Sequence, residues 1–210
     1  IEGILHERLV DLRSLLPDAE QVDLLCRTPS TALGSCRVKL PLAEENTTPY
    51  ETIHNALKAH SIDAFFYIGG NDSMDTVAKL SAYLTSVNSP IRVIGIPKTI
   101  DNDLMYTDHT PGFGSAVKYV TTTLAEIAQD SAVYNLPSVT IVEIMGRDAG
   151  WLTASTCLLH HNGLETPHLI YLPEIPFSTE RFMSDVRRMH ASHKSVIVAV
   201  SEGVRLSEGG

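Results

Sequence analysis

Lys98-Thr99-Ile100-Asp101-Asn102-Asp103 follows directly on Gly95-Ile96-Pro97. An apolar run stops at a proline, and an ammonium, a hydroxyl and two carboxylates two residues apart come at once after it. These residue types suit a metal-bound phosphate: carboxylates for a hard divalent cation, an ammonium for the phosphate oxygens. Ile100 between polar neighbours suggests alternation, which puts Asp101 and Asp103 on one side. Two like charges so close repel unless a cation lies between them.

Other segments end in the same manner. Gly69-Gly70-Asn71-Asp72-Ser73 joins an apolar run to a helical pattern. Its glycines let backbone N–H groups approach an anion at a helix N-terminus; equally, it is a tight turn with Asp72 or Ser73 as the N-cap. Met145-Gly146-Arg147-Asp148-Ala149-Gly150 sits between a strand and a helix, where Arg147 serves either a ligand or a structural ion pair. Arg37 and Glu202, taken singly, read as surface charges. Pro111-Gly112-Phe113-Gly114-Ser115-Ala116 contains G-x-G, but Val117 stands where the third glycine of a dinucleotide fingerprint is needed, and there is no GxxxxGK[ST] loop.

Regular elements after Pro49 position these groups. Helical spacing predicts helices over Tyr50–His60, from about Ser73 (Met74, Val77, Leu80 and Leu84 on one side), from about Gly114 to Tyr134, over Trp151–His161 and over Thr179–His193. Apolar runs predict strands at Ala64–Ile68, Ile91–Ile96, Val139–Ile144, His168–Leu172 and Val196–Val200, the first covered on both faces. Strict alternation of the two types implies an α/β fold: a mainly parallel, doubly wound sheet with helices on both faces. All strand ends then fall on one carboxyl edge, where such folds bind ligands. Residues 1–48 are expected to be irregular.

The 210 residues carry 16 basic and 25 acidic side chains, a net charge of −9 that argues against nucleic acid as a partner. Cys26, Cys36 and Cys157 form no CxxC pair and are expected to be reduced thiols of a cytoplasmic protein. The nine histidines lack zinc-motif partners. No apolar stretch is long enough for a membrane span, and no signal peptide is visible. A start at Ile1 suggests part of a longer polypeptide.

GGNDS, PKTIDND, GFGSA and EIMGRDAGW, in this order, together resemble the phosphofructokinase family, from about Thr28 to Glu202. Asp72 in GGNDS and Lys98 in PKTIDND are similar to the pyrophosphate-dependent branch; the ATP-dependent branch usually has glycine at both places. The resemblance implies phosphoryl transfer from pyrophosphate to the 1-hydroxyl of fructose 6-phosphate, with Mg2+ as cofactor, in a homodimer or homotetramer without nucleic-acid or membrane partners. Its alternatives are an ATP-dependent enzyme and a non-catalytic regulatory paralogue.

By motif position the resemblance makes Asp101 the catalytic base, Arg147 the arginine on the transferring phosphoryl, and Lys98 and Thr99 further catalytic groups. Thr99, Asp101, Met145, Gly146, Arg147 and Glu202 fall on the sugar phosphate. Gly70, Asp72, Ser73, Lys98 and Arg37 fall on the donor phosphates, and Asp103, Asn71 and Asp72 on the metal. It implies an irregular N-terminal part of the donor lobe (1–48), a donor-binding α/β lobe (49–137) and the start of a sugar-phosphate lobe (138–210). Asn71 departs from the family's usual aspartate, and Pro137-Ser138 from a basic residue aimed at a neighbouring subunit. The family's glycine-rich N-terminal donor loop and its C-terminal His/Arg segment are not among these residues.

Overall fold

A computed structural model of the chain describes residues 1–207. Its packing forms two units, Ile1–Pro97 and the chain from Lys98 onward.

In the first unit, three short helices occupy the stretch expected to be irregular: α1 Glu2–Leu5, α2 Leu12–Leu15 and α3 Ala19–Arg27. Aspartates start the latter two. Asp11 accepts from the Arg13 N–H and Asp18 from the Gln21 N–H, at 3.0 and 2.9 Å, pairing N–H groups that the first turn leaves without a helical partner. Helix α4, Thr48–Ala59, carries Pro49 in its first turn, where a missing N–H costs nothing. Strand β1 (Ala64–Gly69) pairs in parallel with β2 (Arg92–Pro97), Gly69 opposite Pro97, and α5 (Asn71–Ser86) crosses between them. Tyr50, Ile53, Leu80 and Leu84 form the centre of this unit's core at 0–1% exposure, with Phe65, Tyr67 and Val93 of the sheet against them.

The second unit holds α6 (Phe113–Ala132), β3 (Ser138–Ile144), α7 (Trp151–Ala154), a 3-10 turn (Ser155–Cys157), α8 (Leu158–His161), β4 (Leu169–Tyr171), α9 (Thr179–His190) and β5 (Ser195–Ser201). Its sheet is parallel throughout, in the order β3-β5-β4. Central β5 is the strand buried on both faces, with Val196, Ile197, Val198 and Ala199 at 0–1% exposure. Leu124, Ala128 and Leu159 pack on Ile197; Leu152 and Ile144 pack on Ala199.

Parallel strands and alternating helices are as expected, but the strands belong to two sheets, not one edge. Periodicity is local; it dictates a strand and its two faces, not which distant strand pairs with it. For the same reason the boundary differs. Helix α6 lies within 49–137, yet its buried side packs on second-unit residues, and the division falls after Pro97. The last three residues of the 138–210 lobe lie outside the described residues.

Strand β1 is covered on one face only. Phe66 and Ile68, beside Ile94 and Ile96 of β2, are 57, 62, 39 and 41% exposed. The helix expected over Trp151–His161 is broken by its own hydroxyls: Ser155 Oγ donates to the Leu152 carbonyl and Thr156 Oγ1 to that of Thr153, at 2.6 and 2.7 Å. Such bonds compete with the α-helical ladder. Among the described residues no helix is long and apolar enough to cross a membrane.

His168, at the start of β4, makes stability pH-dependent. Its Nδ1 accepts the Ile197 N–H at 2.9 Å, and burial, then the neighbouring His193, holds its pKa below the ordinary value. The unfolded chain therefore binds the proton more readily, so stability is complete above about pH 6.5 and falls as the pH drops below it. His168→Asn, which can keep the acceptor, is expected to reduce the loss of melting temperature between pH 7 and pH 5. An equal loss in both proteins would contradict this.

Candidate active site

Strands β3 and β5 end in register, Ile144 opposite Ser201, so Met145 and Glu202 are the next residues on adjacent strands. The Glu202 N–H continues the ladder to the Ile144 carbonyl at 2.9 Å. Beyond it the two loops bond to each other. Glu202 Oε1 accepts the Gly146 N–H at 3.1 Å, and the buried Ser201 hydroxyl donates to the Gly146 carbonyl at 2.5 Å. Gly146 has φ +130°, and a Cβ there would lie 2.5 Å from the Ala149 carbonyl oxygen, so glycine alone fits. Gly150, further along, donates its N–H to Glu174 Oε1 at 2.7 Å. Arg147 is left exposed at the head of this braced loop, and among the described residues it makes no salt bridge.

The acidic loop is not a strand. Asn102 adopts φ +60° and is buried, a left-handed turn that asparagine tolerates, so alternation does not set the sides of Asp101 and Asp103. Asn102 Oδ1 accepts the Thr110 N–H at 2.8 Å and its Nδ2 donates to the Asp108 carbonyl at 3.2 Å, closing the loop at its base. Thr99 Oγ1 accepts the Asp101 N–H at 3.0 Å.

Asp101 is half-buried, and Asp103 and Glu202 are exposed. Burial first, then the charges of Asp103 and Glu202, push the Asp101 carboxyl above the usual carboxylate range, while Arg147 and Thr99 oppose the rise. These five residues thus form one electrostatic neighbourhood: a carboxylate made more basic by its surroundings, beside a guanidinium without a carboxylate partner. Such a pair can accept a proton and stabilise an anion.

Lys98 is exposed immediately after β2. Gly70, Asn71, Asp72, Ser73 and Arg37 belong to the first unit. Gly70, not Asp72 or Ser73, is the N-cap of α5, and the helix begins at Asn71. Asp72, in the first turn, pairs with Lys39 Nζ at 3.0 Å; both side chains are mostly exposed. Arg37 and Asn71 are exposed and Ser73 half-buried.

Among the described residues no three His, Cys, Asp or Glu side chains converge on one ion position. A cavity of about 400 Å³ lies at the opposite, amino end of the second sheet, lined by Tyr134, Glu165, His168, His193 and Lys194 among others. It contains none of the candidate residues above. Sequence reasoning missed Asn102, Ser201 and Glu174. Glu174 had the same signal as the others, a polar group just beyond a strand; the bonds of Asn102 and Ser201 are tertiary and leave no periodic trace.

Residues 1–210 match the family model described as phosphofructokinase. The chain belongs to the phosphofructokinase family. It is 43% identical to a pyrophosphate–fructose 6-phosphate 1-phosphotransferase of Rhodospirillum rubrum and 41% identical to one of Xanthomonas campestris pv. campestris, each over 100% of this chain and 50% of the relative. It is also similar, with a TM-score of 0.79 and 40% identity, to the crystal structure of a pyrophosphate-dependent phosphofructokinase from Marinobacter aquaeolei, over 98% of this chain and 50% of that one. The chain spans about half the length of the curated relatives it matches.

Proposed function

We propose that the whole protein transfers a phosphoryl group reversibly between pyrophosphate and the 1-hydroxyl of fructose 6-phosphate, in the cytoplasm, as a step of glycolysis and gluconeogenesis. What supports this reading is the joined loop ends, Glu202 on the Gly146 N–H at 3.1 Å beside Arg147, with Asp101 near enough that the charges of Asp103, Glu202 and Arg147 act on its carboxyl. The relatives' names supply the substrates.

In this reading Asp101 takes the proton of the sugar 1-hydroxyl as that oxygen attacks phosphorus, and the bridging P–O bond of pyrophosphate breaks to release orthophosphate. Arg147 neutralises charge on the equatorial oxygens of the migrating group, where a loose transition state makes positioning and electrostatics decisive. Glu202, Met145 and Gly146 hold the sugar phosphate and Thr99 its reacting end. Gly70, Ser73 and Arg37 hold the donor phosphates, with Lys98 as a point charge. Both backbone groups of Gly146 are already bonded, the N–H to Glu202 and the carbonyl to Ser201, so Gly146 serves the sugar site by shaping the loop, and its N–H becomes free only if Glu202 turns away.

The acidic residues fit Mg2+ of a particular kind. Asp101 and Asp103, two carboxylates close enough that after burial the Asp103 charge is the next cause of the raised Asp101 pKa, suit an ion that keeps waters and takes its remaining ligands from phosphate. Asp103 would hold it, with Asn71 and Asp72 as the further candidates, and when bound it neutralises phosphate charge. We also assign a homodimer or homotetramer, as the resemblance implies.

The direct test supplies the full-length protein with fructose 6-phosphate, Mg2+ and either donor, and follows fructose 1,6-bisphosphate. Turnover with pyrophosphate is expected; turnover with ATP alone would overturn the donor assignment. By the resemblance, the side chains of Asp72 and Lys98 would project into the space that glycines leave for the rest of a nucleotide. Asp72→Gly with Lys98→Gly is therefore expected to open activity with ATP and to lower kcat/KM for pyrophosphate on the order of 10²-fold, about 2.7 kcal/mol of lost binding to the donor phosphates. If the ATP-dependent reading were right, donor choice would not change.

A further inference from the structure

We propose that Ser201 is a positioning residue whose hydroxyl locks the Gly146–Arg147 loop against the Glu202–Gly203 turn and thereby sets where the Arg147 guanidinium stands. The role in turnover rests on the phosphotransfer reading above; the locking itself does not.

Ser201 is the last residue of β5 and is 1% exposed. Its hydroxyl is donor and acceptor at once. It donates to the Gly146 carbonyl at 2.5 Å and accepts the Gly203 N–H at 3.2 Å. One oxygen thus ties the residue before Arg147 to the residue after Glu202, and Glu202 ties the other side of Gly146 through its N–H at 3.1 Å. Both backbone groups of Gly146 are held by two consecutive residues of the neighbouring strand end.

The fit on the other side is equally tight. A Cβ on Gly203 would overlap the backbone carbonyl of Arg147, so the two loops touch along their main chains. Alanine at 201 would leave the Gly146 carbonyl and the Gly203 N–H without their partner in a buried setting, at the penalty expected for unsatisfied groups. The main chain there would shift to find new partners. The Arg147 side chain has no salt bridge to hold it among the described residues, so its position depends on that main chain. A small misplacement of such a group costs rate steeply.

Two variants of the full-length protein test this. Ser201→Ala is expected to raise amide hydrogen exchange over residues 146–150 and to lower kcat at least tenfold, well below its melting temperature, with KM for the donor changed less than about threefold. Ser201→Thr, which keeps the hydroxyl, is expected to restore both exchange protection and kcat to within about threefold of the parent. A residue with only a stabilising role would lower the melting temperature and leave kcat intact. Unchanged exchange in the alanine variant, or threonine failing as alanine does, would overturn the proposal. If the parent protein itself turns over no substrate, the phosphotransfer reading fails and exchange alone decides whether Ser201 locks the loop.

Discussion

Asp101→Asn in the full-length protein is expected to lower kcat by about 10²- to 10⁴-fold, the usual contribution of a positioned general base. Asparagine keeps the size and the capacity to accept the sugar hydroxyl's hydrogen bond but cannot take its proton. KM for fructose 6-phosphate should therefore change little beside kcat. The titration of Asp101 carries a second expectation. A base must be ionised to act, and burial, Asp103 and Glu202 push the Asp101 pKa up. In the metal-free protein the Asp101 carboxyl should therefore titrate above the ordinary aspartate value of about 3.9, read from the NMR shift of its carboxyl carbon. A variant with parental kcat would remove Asp101 from the chemistry.

Arg147→Met is expected to lower kcat on the order of 10³-fold or more, since an arginine on the transferring group contributes at that scale. Arg147→Lys should recover only part, because an ammonium cannot reproduce the planar fork that meets two phosphoryl oxygens. The guanidinium also lowers the Asp101 pKa, so its removal should move the titration of Asp101 in the metal-free protein to higher pH. A loss confined to KM would make Arg147 a binding group alone.

Much of this site was legible in the chain because its chemistry is local. Apolar runs ending in Gly69-Gly70, Pro97, Ile144 and Ser201 announced four strand ends, and the polar groups just after them are where the structure places its loops. Burial on both faces, expected of the Ala64–Ile68 run, belongs instead to central β5, while Phe66 and Ile68 of β1 stay exposed. What stayed hidden depends on distant pairing. That, among the described residues, β1 pairs with β2 alone and β5 with β3 and β4 is settled by cores assembled from residues far apart in sequence. The left-handed turn at Asn102 needs the Asp108 carbonyl and Thr110 N–H to hold it, so alternation through Ile100 misread the loop. Ser201 looked like the ordinary end of a strand until its hydroxyl was found between two main chains.

The reverse reaction tests the central claim most directly. Full-length protein given fructose 1,6-bisphosphate, orthophosphate and Mg2+, without any nucleotide, should build pyrophosphate that phosphorus NMR detects, and Asp101→Asn should abolish the signal. Pyrophosphate that never forms, while ADP in place of orthophosphate yields ATP, would contradict the account.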